Sequence, residues 1–223
     1  MILQHEAWNF EIDLEGINTI VVENPKLFRT ILNDLNAQTS GWEGGFSLYE
    51  DLKEKSIKKE IILIQSPYIA SINERKIIGK LHEEIKNDIL SGEFEKFRQL
   101  ESEILKFADE MTFNNSIELE IGNSIEIVDL LKIAGVKFRE EIGNVDIIDK
   151  MAQYAIIMQQ FINPTAQSYT NIKGMFMEDE WEDFIKELRI NRVNLLLFEN
   201  HHTYGEKEGE KIYTIDMDYC EIY

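Results

Sequence analysis

The sequence predicts an α/β fold, in which helices flank a mostly parallel sheet. The first observation is a set of short β-branched runs that are apolar on successive residues, at 19–22, 61–64 and 193–198. Such runs are typical of strands that are covered on both faces. The second observation is that amphipathic helical stretches lie between these runs, which is the alternation of an α/β domain.

The helices are predicted from apolar side chains that recur at three and four residues. Asn24 and Pro25 form a good helix start, because asparagine caps a first turn and proline fits into it. That helix is predicted to reach about Asn36. Later helices are predicted over residues 125–134, 145–161 and 178–190.

One region breaks the alternation, because residues 73–111 contain two amphipathic helices and no predicted strand. Ser91 and Gly92 interrupt the apolar pattern between the two helices, which favours a helical hairpin. We interpret 73–112 as a helical leg inserted into an α/β head domain formed by 1–72 and 113–223. The alternative is that both helices simply cover the sheet.

The composition indicates a soluble, acidic, globular protein. The 223 residues include 23 Lys+Arg and 42 Asp+Glu, a net charge of −19, with 43% hydrophobic residues. Such acidity normally disfavours nucleic acid, since phosphates attract positive charge. No apolar run approaches the ~20 residues that span a bilayer, and the start has no signal-peptide pattern. With a single cysteine, Cys220, the sequence predicts a reduced, cytoplasmic protein without a membrane partner.

The motifs of common phosphate-processing enzymes are missing. A Walker loop needs glycines followed by Gly-Lys-Ser/Thr, but the only Gly-Lys is Gly79-Lys80 inside a predicted helix. No Gly-x-Gly-x-x-Gly occurs, and none of the prolines precedes an aspartate as in a common nuclease core. A nucleotide hydrolase is therefore disfavoured. A degenerate nucleotide-binding or nuclease enzyme on the same sheet stays open as the alternative.

Carboxylates accumulate around a predicted strand and helix in the middle of the chain. Glu118 and Glu120 point to the same side if 117–120 is a strand, while Glu126 and Asp129 share a face of the next helix. Carboxylates that converge on one turn repel each other unless a cation neutralises them, and calcium suits such oxygen-rich sites. A solvated acidic face is the alternative interpretation.

Four segments follow one another in an order found in a known family. They are an opening strand pair at 12–23, a basic turn and buried strand at 56–64, an acidic stretch leading into a helix at 117–137, and a long strand at 193–199. Together they resemble the CRISPR-associated Csn-two family of type II-A systems over nearly the whole chain. At 122–124 the sequence reads Gly-Asn-Ser, where family members often carry an acidic pair. At 166–171, where the family has an apolar strand, the sequence is polar, so an exposed or irregular strand is predicted there.

The resemblance implies a P-loop-like head that has lost its Walker residues, a helical leg, and a protein that is not an enzyme. It also implies a ring-shaped homotetramer that uses calcium (Ca2+) and binds the ends of double-stranded DNA independently of sequence. The partners that it implies are other CRISPR adaptation proteins, the integrase complex and the effector nuclease, during spacer acquisition for antiviral defence. A ring with a few lysines facing its hole would reconcile DNA binding with an acidic outer surface.

Two sets of candidate site residues follow. For calcium we expect oxygen ligands from the acidic stretch, with Asn123 and Glu140 as additional ligands: Glu118, Glu120, Asn123, Glu126, Asp129 and Glu140. For DNA phosphates we expect cations that are chosen by local charge alone: Lys53, Lys55, Lys58, Lys59, Arg75 and Lys76.

Overall fold

The computed structural model of the chain describes residues 1–113, 117, 119–140 and 145–223. The chain divides into two compact units. We call Met1–Ile72 with Glu141–Tyr223 the head unit, and Asn73–Glu140 the leg unit. No helix in the described ranges is long and apolar enough to cross a bilayer.

The described residues form seven α-helices and ten short strands. Their bounds in chain order are β1 (Ile2–His5), β2 (Ile12–Asp13), β3 (Ile17–Val22), α1 (Pro25–Ser40), β4 (Phe46–Glu50), β5 (Lys53–Glu54), α2 (Ile57–Glu60), β6 (Ile61–Leu63), α3 (Arg75–Gly92), α4 (Phe94–Thr112), α5 (Ile127–Ile133), α6 (Ile147–Phe161), β7 (Ala166–Thr170), a 3-10 turn (Lys173–Met175), α7 (Glu178–Ile190), β8 (Leu195–Glu199), β9 (Glu210–Ile215) and β10 (Glu221–Ile222).

The head unit contains two sheets. The larger has the strand order β10-β9-β3-β8-β7-β6, and every neighbouring pair is parallel except β10 with β9. The smaller, β2-β1-β4-β5, is antiparallel. The predicted α/β class and the largely parallel sheet are therefore confirmed. All residues of β3 and β8 are buried, as expected for strands covered on both faces.

One hydrophobic core of the head lies between α1, the small sheet and one face of the large sheet. Ile31 and Leu35 of α1 belong to the same buried cluster as Leu48 of β4, Ile20 of β3 and Phe198 of β8. Each of these side chains is fully removed from water. Burial of such a side chain contributes about 1.5–3 kcal/mol.

Strand β7 corrects one expectation. Its sequence is polar, and an exposed or irregular strand was the prediction, but β7 is a regular parallel strand between β6 and β8. Gln167, Ser168 and Tyr169 are completely buried. Gln167 Nε2 donates to the Ala155 carbonyl of α6 at 2.7 Å. Such a partner reduces the cost of burying a polar side chain inside a sheet domain, and it lies twelve residues away in sequence. Gln167 Oε1, Ser168 Oγ and the Tyr169 hydroxyl have no hydrogen-bond partner among the described residues.

The leg unit contains the two predicted helices, α3 and α4, which meet at Gly92 and Glu93. The unit continues to Glu140, beyond the predicted leg end at residue 112. The expected strand at 117–120 is wrong for the described residues Ile117, Leu119 and Glu120, none of which is in a strand. A strand needs a neighbour to pair with, and the described part of the leg unit contains only helices and irregular segments. Glu118 lies outside the described residues.

An ion pair holds the second face of the large sheet together. Lys173 Nζ lies 2.8 Å from Glu210 Oε1 at the start of β9, and both side chains are almost fully buried. Thr19 Oγ1 of β3 donates to the same carboxylate oxygen at 2.6 Å. Trp181 Nε1 of α7 donates to Oε2 at 3.3 Å, and its ring lies 5.2 Å from Lys173 Nζ. The carboxylate thus links β3, β9, α7 and the turn after β7.

We expect Lys173→Met to destabilise the head unit by about 3–5 kcal/mol, because it leaves the Glu210 carboxylate buried and uncompensated. Adding Glu210→Gln should recover most of that loss, since the second substitution removes the unpaired charge. The measurement is the free energy of unfolding from urea denaturation. Lys186→Met, an exposed change on α7, should stay within about 0.5 kcal/mol of wild type. Wild-type stability in Lys173→Met would contradict the assigned role of the pair.

Candidate functional site

In open parallel sheets, ligands bind outside the carboxyl ends of the strands. At this edge β3 ends at Val22, and only Glu23 and Asn24 precede α1. Asn24 Oδ1 accepts hydrogen bonds from the backbone N–H groups of Lys26 and Leu27, at 3.0 and 3.2 Å. These are amides of the kind that hold a phosphate at the start of a helix. Here a side chain of the same chain occupies them.

Glu199 ends the adjacent strand β8 and is 1% exposed. Its Oε1 accepts from the backbone N–H groups of Ile172 and Lys173, at 2.9 and 3.2 Å. Its Oε2 has no hydrogen-bond partner among the described residues. Burial raises the pKa of the Glu199 carboxyl, and the two backbone N–H groups act in the opposite direction. Glu199 therefore holds the turn after β7 in place while carrying an unsatisfied buried oxygen.

The predicted calcium ligands lie in the leg unit, apart from the undescribed Glu118. Glu126 is the N-cap residue of α5, and Asp129 lies in its first turn. The two acids are paired with lysines: Glu126 with Lys86 at 3.8 Å, and Asp129 with Lys132 at 2.8 Å.

The other predicted calcium ligands are exposed at Glu120, Asn123 and Glu140. Asn123 borders a groove that is also lined by Glu101 and Asp109 of α4. Within the described residues, no group of three or more His, Cys, Asp or Glu side chains is arranged to hold a metal ion. The ligand set stays a prediction.

Glu101 lies next to the predicted calcium ligands but was not predicted from the sequence. Its side chain is buried although α4 is mostly exposed. Glu101 Oε1 accepts from the backbone N–H of Ile125 at 2.9 Å, and Oε2 pairs with Arg98 at 2.6 Å. Glu101 therefore fixes the irregular segment that carries Asn123 and Glu126 against α4. The ion pair with Arg98 could have been predicted from sequence, since residues three apart are neighbours on a helix.

Of the four predicted DNA-contacting lysines in the head unit, two already have partners. Lys55 Nζ pairs with Glu50 at 2.6 Å, and that hydrogen bond raises the pKa of Lys55. Lys58 Nζ donates to the Ser40 carbonyl at 3.3 Å, where a cation complements the negative end of α1. Lys53 and Lys59 are exposed and have no ion-pair partner among the described residues.

The remaining two predicted cations, Arg75 and Lys76, begin helix α3 in the leg unit. Both are exposed. They line an open groove of about 470 Å³ together with Gly79, Lys80 and Glu83. Of the six predicted cations, four therefore belong to the head unit and two to the leg unit.

A match to a known family accompanies this geometry. The family model for CRISPR-associated protein (Cas_Csn2) matches residues 38–219, which is most of the 223-residue chain. The chain therefore belongs to the Csn-two family of CRISPR-associated proteins, as the resemblance indicated, and has a CRISPR-associated role. No curated protein matches the chain.

Glu199→Gln should make the head unit less sensitive to pH. Because the pKa of Glu199 is raised in the folded state, its contribution to stability is fully present below its ordinary value of 4.5 and is lost as pH rises through the folded-state pKa. Glutamine does not titrate. The variant should therefore gain stability relative to wild type as pH rises, by about 1.4 kcal/mol for each pH unit by which the pKa is raised.

The measurement is urea denaturation of both proteins across about pH 4 to 8. Glu187→Gln, an exposed acid on α7, serves as the matched control and should follow the wild-type curve. A stability difference between Glu199→Gln and wild type that does not change with pH would rule out the titration of Glu199 as the cause.

Proposed function

We propose that the protein is a non-catalytic, calcium-dependent, ring-forming DNA-binding protein. It binds the ends of double-stranded DNA and supports spacer acquisition in type II-A CRISPR–Cas immunity. The observation that carries this proposal is the family match across residues 38–219. Its expected setting is the cytoplasm, as a homotetramer with the integrase complex and the effector nuclease.

Local charge supports DNA binding despite the net charge of −19. DNA responds to the field at the contact surface, and phosphates are bound by cations that are not already neutralised by the protein. Arg75 and Lys76 in the leg unit and Lys53 and Lys59 in the head unit are exposed cations of this kind. The acidic residues outnumber the basic ones over the chain as a whole but not at α3.

The carboxyl edge of the large sheet supports a non-catalytic head. In the P-loop-like architecture that we propose, the phosphate site would lie between β3 and α1. That connection is two residues long and contains no glycine, and the Asn24 side chain binds the first amides of α1. Without the glycine loop and its lysine, the β- and γ-phosphates lose their usual cradle. The alternative, a degenerate nucleotide-binding or nuclease enzyme, would need a different site.

The acidic segment of the leg supports the calcium proposal. Glu126 and Asp129 lie in the same turn at the start of α5, since the Asp129 N–H donates to the Glu126 carbonyl at 3.0 Å. The non-helical segment before them carries Glu120 and Asn123. Oxygen atoms from an irregular segment and a first helical turn are ligands that calcium accepts. Calcium would replace Lys86 and Lys132 as the partners of the two helix acids.

We expect linear duplex DNA to bind and covalently closed circles of the same length not to bind. A closed ring has no side entrance, so duplex must enter by threading over an end. The measurement is a gel shift at matched salt and DNA length, with linear duplex blocked at both ends as the control. Equal affinity for circles and open linear fragments would exclude threading, and absence of binding to linear duplex would exclude the DNA-binding function itself.

Calcium should raise the melting temperature, because an ion that binds only the folded state stabilises it by mass action, by about 2.7 kcal/mol at a hundredfold excess over Kd. A chelator should reverse the shift. Glu118→Ala with Glu126→Ala should abolish it, whereas the exposed α7 pair Glu182→Ala with Asp183→Ala should preserve it. Differential scanning fluorimetry provides the measurement. Superimposable melting curves with calcium and with chelator would eliminate the calcium assignment.

A further inference from the structure

The cations of the leg unit fall into two groups, those that form an ion pair and those that do not among the described residues. The unit contains ten Lys and Arg residues. Five of these have a carboxylate partner within 4 Å: Lys86, Lys96, Arg98, Lys106 and Lys132. The other five are exposed and have no ion-pair partner among the described residues: Arg75, Lys76, Lys80, Lys137 and Arg139.

Three members of the unpaired group lie on one exposed side of α3. Arg75, Lys76 and Lys80 are exposed, whereas Ile77 between them is fully buried. They line the open groove of about 470 Å³ together with Gly79 and Glu83. Apart from the helix backbone and the chain neighbours of Gly79, no described atom lies within 4 Å of the position that a Cβ at Gly79 would take. The three lie within the first turns of α3, where the helix dipole favours anions.

The other two members are brought beside the same helix by hydrogen bonds. Asn73 Nδ2 donates to the Phe138 carbonyl at 3.1 Å, and Asn73 Oδ1 accepts from the Phe138 N–H at 2.9 Å. His82 Nε2 lies 2.8 Å from the Val136 carbonyl. These contacts place the segment 136–138 along α3. Lys137 therefore lies next to the helix, and Arg139 follows directly after the Asn73 contact, although they come 45 and 47 residues after the end of α3 at Gly92.

We propose that Arg75, Lys76, Lys80, Lys137 and Arg139, which we call the α3 cation surface, form a contact for the phosphate backbone of double-stranded DNA. This inference rests on the proposed function and names the surface that carries it. Unpaired, exposed cations bind phosphates without first breaking an ion pair, and arginine adds a two-point contact. From Arg75 to Lys80 the helix rises about 7.5 Å, which matches about two steps of 3.4 Å along one DNA strand.

The experiment measures fluorescence anisotropy of a short labelled linear duplex over a series of salt concentrations. One variant is Arg75→Gln with Lys76→Gln and Lys80→Gln, and a second, independent variant is Lys137→Gln with Arg139→Gln. Each phosphate contact contributes about 0.9 to the slope of log K against log salt. We expect that slope to fall by up to about 2.7 in the first variant and about 1.8 in the second. Affinity should fall for all sequences alike.

The matched control is Lys96→Gln with Lys106→Gln, which removes two paired lysines of α4 in the same unit. It should keep the wild-type affinity and slope. Thermal unfolding should be unchanged in both variants of the α3 cation surface, because their substituted side chains have no ion-pair partner to lose among the described residues.

Three outcomes would overturn the assignment, and they are distinguishable. If wild type binds the duplex and both α3 variants keep its affinity and slope, the surface is wrong while the proposed function stands. If wild type does not bind linear duplex, the proposed function fails and this surface with it. If a polyglutamate peptide of matched charge binds wild type more tightly than the duplex, and the variants lose that binding, the surface serves an acidic protein partner.

Discussion

Lys173 and Glu210 form the contact on which the second face of the large sheet depends. The pair lies 2.8 Å apart with both side chains almost fully buried. A buried carboxylate must be paired and hydrogen-bonded to be tolerated, and Glu210 receives its further bonds from Thr19 and Trp181. Through these contacts, the Glu210 carboxylate of β9 binds β3 by Thr19, α7 by Trp181 and the turn after β7 by Lys173. The same turn is bound from the other side by Glu199.

The fold could be predicted from sequence where the local pattern of apolar residues reflects the burial of the segment. The apolar runs of β3 and β8 predicted strands covered on both faces, and the three- and four-residue spacing predicted α3 and α4. Strand β7 was mispredicted, because its burial depends on contacts such as the hydrogen bond from Gln167 Nε2 to a carbonyl of α6, which no local pattern reveals. The strand predicted at 117–120 is wrong for the described residues Ile117, Leu119 and Glu120 for a similar reason, since alternation alone supplies no neighbouring strand to pair with.

Which charged side chains of the candidate site form ion pairs can be predicted from sequence only for residues that are close together along the chain. The pair of Lys132 with Asp129 is three residues apart and was within reach of helical spacing. The approach of Lys137 to α3 was not, because it depends on hydrogen bonds of Asn73 and His82 to a segment far along the chain. In the leg unit, five of the ten Lys and Arg residues have a carboxylate partner. The five that have none among the described residues are the cations available to an anionic partner.

The most direct measurement is the chemical reactivity of individual lysines with and without DNA. Acetylation followed by mass spectrometry, with saturating linear duplex, should show protection at Lys76, Lys80 and Lys137. Lys96 and Lys106, which are paired on α4, should react equally in both states. Unchanged reactivity at the first three lysines while the duplex is bound would contradict phosphate binding by the unpaired cations of the leg unit.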